Sequence, residues 1–179
     1  MKGPACVIWI TGLSGAGKTT LAGEVFARLK ARRNDVVLVD GDAFREIVGD
    51  GLGHSREDRL INARRIARFC RFLNRQGIGV VCATMSLFHE IHEWNRSHQP
   101  RYFEVLVRVP LEVLAARDSK QLYSRARSGE LSGVPGVDLE YELPKAPDFV
   151  VENTGPLSTL AHWSERILER IENLEEEPT

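Results

Sequence analysis

The chain has 179 residues, 42% of them hydrophobic and 27% charged, with 24 Lys+Arg against 25 Asp+Glu and a formal charge of −1. This is the composition of a globular chain, expected to form a single domain over 1–179, and not that of a disordered one. Near-neutrality excludes a general nucleic-acid or anionic-membrane binder, which needs a basic excess.

In chain order, Met1–Ala5 shows no secretory cleavage pattern. Cys6–Thr11, an apolar run bounded by Pro4 and Gly12, reads as a buried strand. A Gly-rich turn follows, then a helix over 18–32. Val36–Asp40 reads as a second buried strand, ending in Asp40-Gly41-Asp42. The pattern over 58–76 is helical, with Asn62, Ile66, Phe69 and Leu73 on one face. Further strands are expected over 78–84, 102–109 and 149–151, and an amphipathic helix over 157–174 that frays into the acidic tail. Strands alternating with helices imply βαβ units: a parallel sheet with helices on both faces. The segment 128–147 holds Gly129, Gly133, Pro135, Gly136, Pro144 and Pro147 and little apolar periodicity, and reads as a functional lid. No apolar run approaches the roughly 18 residues of a membrane helix. Cys6, Cys70 and Cys82, without paired spacing, read as buried reduced thiols, which makes the cytoplasm the expected compartment.

The chemistry begins at Gly12-Leu-Ser14-Gly15-Ala16-Gly17-Lys18-Thr19, which matches G-x-x-x-x-G-K-[ST] in full between a strand and a helix. Glycines let backbone N–H groups wrap phosphates, and the helix start adds its positive dipole end. Lys18 reaches the phosphates and the Thr19 hydroxyl takes Mg²⁺, so the expected ligands are ATP and Mg²⁺. A dinucleotide-binding fold fails because its third small residue falls on Thr20, and a regulatory GTPase because no Asn-Lys-x-Asp occurs. Asp40 and Asp42 end the second strand, where parallel strands line a crevice. One carboxylate suits an acceptor proton and the other the metal's water shell. The third strand ends Ala83-Thr84 with no acid, which favours Asp42 as the base.

Together these residues resemble the adenylylsulfate kinase family, P-loop enzymes of three-layer α/β/α architecture with a mostly parallel five-stranded sheet. The resemblance also covers Asp40-Gly-Asp-x-x-Arg45, Asp58-Arg59 with Asn62 and Arg64-Arg65, and Pro110-Leu-Glu-Val. It continues through Arg117-Asp118-x-Lys120-x-Leu122-Tyr123 and Gly136-Val-Asp138 with Tyr141-Glu142. It implies transfer of the γ-phosphoryl group of MgATP to the ribose 3′-hydroxyl of adenosine 5′-phosphosulfate. It also implies a homodimer, with a small nucleotide and no nucleic acid or membrane as partner. Asp42 is then the general base, with Lys18 and Lys120 near the transferred phosphate. ATP is held by the phosphate loop, Gly12 to Thr20, with Arg117 on its base. The acceptor is held by Asp40, Arg45, Arg59, Asn62, Ser86 and Lys120, and by the lid over 129–142 with Gly136 and Val137. Spacing alone puts 59, 62 and 66 on one helical stripe.

The acceptor-base pocket departs from the family pattern. His54 and Val134 stand where the family has two Phe residues that sandwich adenine, each contact being worth about 1 kcal/mol. Ser86-Leu87-Phe88 replaces Ser-Pro-Tyr, and Ser-x-Phe-x-Glu-Ile-x-Glu-x-Asn-Arg over 86–96 is similar to relatives that phosphorylate cytidine diphosphoramidate in surface-polysaccharide modification. Both acceptors stay open, as does a non-catalytic nucleotide binder. His89 and His92 lie three apart, not the four of a zinc-protease helix, and read as a solvated face. Trp9 and Trp163 read as core, whereas Trp94 fits either the rebuilt pocket or an oligomer contact.

Overall fold

A computed structural model describes residues 5–49, 51–53, 55–118 and 121–176. Five parallel strands form one sheet in the order β2-β3-β1-β4-β5: β1 Val7–Thr11, β2 Val36–Asp40, β3 Gly79–Ala83, β4 Tyr102–Arg108 and β5 Phe149–Glu152. The helices are α1 Lys18–Arg32, α2 Gly41–Val48, α3 Arg56–Asn74, α4 His89–His98, α5 Leu111–Arg117, α6 Leu122–Arg127 and α7 Leu160–Glu176. The strand order reverses at β1, so the loops leaving β1 and β3 open into one crevice beside the end of β2.

β1 is apolar without alternation because both of its faces are covered. Ile8 and Ile10 enter a core with Leu21, Val25, Leu160 and Ile167 from α1 and α7. Val7 and Trp9 enter the opposite core with Ile66 and Cys70 of α3 and Ile91 of α4. Cys70 and Cys82 are buried and free, and Cys6 is half-buried. Burial, together with the Cys70 thiol, pushes the Cys82 thiol above its usual range.

Two details differ from expectation. The inward face of α3 is Asn62, Ala63, Ile66, Ala67, Cys70 and Asn74, while Phe69 is 38% exposed and packs on Phe44. Two short helices, α5 and α6, follow Pro110, and six or seven residues are too few for a 3.6-residue period to stand out. The Asp118 carboxylate accepts from the N–H groups of Tyr123 and Ser124 and thereby caps α6. Trp9 is fully buried and Trp163 packs against the core. No helix among the described residues is long and apolar enough to cross a membrane.

Candidate active site

The loop from Gly12 to Lys18 is held by its glycines and by two neighbours. Gly12 has φ +152°, and a Cβ there would lie 2.4 Å from the Val107 carbonyl oxygen. Gly17 has φ +96°, and a Cβ would lie 2.7 Å from Asn153 Nδ2. That fully buried amide donates to the Ala16 carbonyl at 2.8 Å. The Tyr123 hydroxyl donates to the Ser14 carbonyl at 2.8 Å, and its pKa is pushed up to about 12 by burial, Asp118 and Tyr141, so it stays a donor at neutral pH. Lys18 Nζ donates to the Leu13 carbonyl at 2.8 Å.

Beside this loop lies a cavity of about 490 Å³ lined by Ser14, Gly15, Gly17, Lys18, Thr19 and Thr20, by Asp40, Gly41 and Asp42, and by Ala83, Thr84, Met85, Arg117, Gly155 and Pro156. Thr19 Oγ1 donates to Asp40 Oδ2 at 2.9 Å, while Asp40 Oδ1 accepts from the N–H groups of Asp42 and Ala43 and caps α2. Asp40 therefore links the phosphate loop to the start of α2. Arg117 Nη2 donates to the Gly155 carbonyl at 2.8 Å, and its buried Nη1 has no protein partner.

A smaller cavity, about 50 Å³, adjoins the first and is lined by Gly41, Asp42, Arg45, Arg59, Asn62, Ala63, Thr84 and Met85. Gly41, Asp42, Thr84 and Met85 line both, so Asp42 stands where the two meet. Arg45 Nη1 donates to the carbonyls of Leu52 and Gly53, and Arg59 Nη2 to that of Gly133. Burial, and then the neighbouring Arg45, pull the Arg59 guanidinium below its usual range, while Asp42 pushes it back up. Asn62 is buried and its Oδ1 has no protein partner.

The other residues assigned to the acceptor are placed differently. Leu87 and Val137 line a third cavity, of about 520 Å³, with Arg56 and residues 138–142. Val134 is 1% exposed within the α1-side core, and Phe88 is buried in the opposite core beneath Arg56. Ser86 is fully buried with an unpartnered hydroxyl. Gly136 has φ +89°, and a Cβ there would lie 2.6 Å from Leu111 Cδ1. His54 and Lys120 lie outside the described residues.

A family model of adenylylsulphate kinase matches residues 4–152. The chain belongs to the adenylylsulphate kinase family. An adenylyl-sulfate kinase of Picosynechococcus is 39% identical over 174 residues, 97% of each chain. A cytidine diphosphoramidate kinase of Campylobacter jejuni is 38% identical over 154 residues, 86% of this chain and 89% of that one. The Mycobacterium tuberculosis APS kinase, solved in complex with AMPPNP and APS, superimposes with a TM-score of 0.86 at 29% identity, over 96% of this chain and 99% of that one. The fold is therefore that of the adenylylsulphate kinases, a P-loop architecture with a parallel five-stranded sheet.

Within this family frame the sequence reading missed Gly41, Thr84 and Met85. The available signal was their position, at the ends of β2 and β3 beside the strand-order reversal. His92 is a correction: it is 5% exposed, and its Nδ1 lies 2.6 Å from the buried Glu104 Oε1. The Tyr102 hydroxyl and Arg96 donate to the same carboxylate. Burial alone would raise Glu104, but His92, Tyr102 and Arg96 outweigh it and hold the carboxyl below its usual range. Trp94 stacks on His98 with ring centroids 4.7 Å apart and lies under Arg71, and it lines none of the three cavities.

Proposed function

We propose that the chain is a phosphotransferase that moves the γ-phosphoryl group of ATP to the ribose 3′-hydroxyl of adenosine 5′-phosphosulfate, giving the 3′-phosphorylated nucleotide and ADP. The observation that carries this reading is Asp42, which borders both the cavity of the phosphate loop and the cavity rimmed by Arg45, Arg59 and Asn62. A base belongs at that junction: Asp42 takes the hydroxyl proton, the oxygen bonds to phosphorus, and the bond to ADP breaks. Arg45 and Arg59 present fork-shaped, permanently charged donors to an anionic acceptor. The buried orphan nitrogen of Arg117 offers a donor to the nucleotide's base end. Lys18 binds the phosphates and, with Lys120, supports charge on the transferred group.

The donor set beside the loop fits Mg²⁺. A hydroxyl and a carboxylate, Thr19 and Asp40, stand 2.9 Å apart, and no cluster of three or more His, Cys, Asp or Glu among the described residues would hold a metal by itself. A hard ion shared with the triphosphate suits that pair, and when bound it neutralises developing phosphate charge. The lid over 128–147 and a homodimer complete the proposal.

A second acceptor, cytidine diphosphoramidate, is favoured by Val134, which is buried in the core and offers no aromatic face for a purine sandwich. The deciding experiment supplies MgATP with each nucleotide in turn and follows ADP. Turnover of adenosine 5′-phosphosulfate supports the first reading. Turnover of cytidine diphosphoramidate alone replaces it with the second, and silence on both refutes the kinase reading. Lys18→Ala should abolish turnover with either.

A further inference from the structure

The segment 128–147 contains no helix or strand, yet its excursion over 133–142 is fastened at both ends to the same helix. At one end Arg59 Nη2 donates to the Gly133 carbonyl at 3.0 Å. At the other, Arg56 Nη2 donates to Glu142 Oε1 at 3.3 Å. Arg56 and Arg59 are three apart on α3, so the two fastenings sit one above the other on one face. Between them the Asp138 carboxylate accepts from the N–H groups of Gly133 and Val134 at 2.7 and 2.6 Å, which closes residues 133–138 into a turn.

Glu142 does more than pair with Arg56. Its Oε2 accepts the His89 N–H at 2.6 Å, at the start of α4, where Phe88 supplies no side-chain cap. A carboxylate there completes a helix N-terminus and gains from its dipole. The Glu142 N–H donates to the Leu87 carbonyl at 3.0 Å, and the ring Nε2 of His89 lies 2.9 Å from the Leu143 carbonyl oxygen. Arg56 lies over the Phe88 ring, 5.3 Å from its centroid. One carboxylate thus ties together the lid's C-terminal stem, the first turn of α3 and the first turn of α4.

We infer that Glu142 is a positioning residue for the acceptor: by clamping the 133–142 excursion to Arg56 and to the start of α4, it fixes where Gly133 holds the Arg59 guanidinium at the acceptor cavity. The inference rests on the proposed kinase reading for its catalytic consequence, but the clamp itself does not. Only residues 139–141 separate this closed turn from Glu142, so loosening the 142 end should loosen the 133 end as well. The ATP cavity shares no residue with the clamp. Its release should therefore act on one substrate and not on the other.

The test uses Glu142→Gln, which keeps the size and one acceptor oxygen but removes the charge, and Arg56→Gln as a second variant, since Arg56 is 43% exposed and should tolerate the change. Glu142→Gln should raise the acceptor KM roughly tenfold, leave the ATP KM within about twofold, and speed amide hydrogen exchange over 128–147. The double variant should be no worse than the worse single one, because both break the same clamp. Unchanged exchange over 128–147 in both single variants overturns the inference, as does an equal rise in both KM values. If the unaltered protein turns over no nucleotide, the kinase reading fails, while the exchange measurement still decides the clamp.

Discussion

Gly41→Ala tests the placement of Asp42 without touching its carboxylate. Gly41 opens α2 directly after β2, where a Cβ would lie 2.8 Å from Thr84 Oγ1, 3.1 Å from Thr84 Cβ and 3.3 Å from the Ala83 carbonyl oxygen. Thr84 is 7% exposed, and a change of its rotamer would relieve only the first of these contacts. Its Cβ and the Ala83 carbonyl are fixed to the backbone at the end of the interior strand β3. The start of α2 must therefore retreat by roughly half an ångström, taking the adjacent Asp42 with it, because a close-packed interior has no spare room. Misplacing a catalytic group by about 1 Å can cost about 10²-fold, so half that distance should lower kcat by about tenfold. Strain of about 1–3 kcal/mol is partly offset by the better helix propensity of Ala, so the variant should fold with a Tm a few degrees lower. Steady-state ADP release at saturating substrates reads kcat, and thermal denaturation confirms folding. A folded variant with kcat within about twofold of the parent would refute the argument that this junction positions the base.

Asp42→Asn should lower kcat by roughly 10²–10⁴ with a small effect on the KM for ATP, and unchanged kcat would leave Asp42 as a turn residue only. Tyr123→Phe strands the Ser14 carbonyl of the phosphate loop, and loss of about 1 kcal/mol there should raise the ATP KM several-fold while sparing the acceptor KM, as read from initial rates. Glu104 is held below its usual carboxylate range, so its stabilisation is complete above about pH 4.5 and is lost as pH falls through its lower folded value. Glu104→Gln should therefore cost about 3 kcal/mol at pH 7, with the gap to the parent narrowing below about pH 4 in denaturant titrations; a gap that stays constant across that range counts against the linkage.

What the sequence disclosed and what it hid follow a physical division. The phosphate loop was readable because its glycines answer local demands, a positive φ at Gly17 and a close approach of Gly12 to Val107, that no other residue meets. The strands were readable because burial on both faces leaves an unbroken apolar run. Arg59 and Asn62 were readable as partners because one helix carries both. Their convergence with Arg45 depends on α2 folding back against α3, which no spacing encodes. His92 was misread for the same reason. Its local context is polar, and the partner that draws it inside, Glu104, lies on β4 with no local signal linking the two. Val134 was read as pocket lining from its place in a motif, whereas its packing against the core is a tertiary fact.

The electrostatics of the acceptor cavity bear on why a near-neutral chain can serve an anionic substrate. Burial, and then the neighbouring Arg45, oppose the charge on Arg59. Asp42 returns only part of it, since a single carboxylate faces two guanidiniums. Each arginine also donates to backbone carbonyls at Leu52, Gly53 and Gly133, and these orient the forks without neutralising them. The cavity therefore carries a local positive excess set by geometry and independent of the chain's net charge. On the proposed reading, a dianionic nucleotide entering it would supply counter-charge, and its hydroxyl would meet Asp42, which borders both cavities. On that reading, binding and proton removal draw on the same imbalance: a second acid would weaken the hold on the substrate, and loss of Asp42 would leave the positive well without the proposed base.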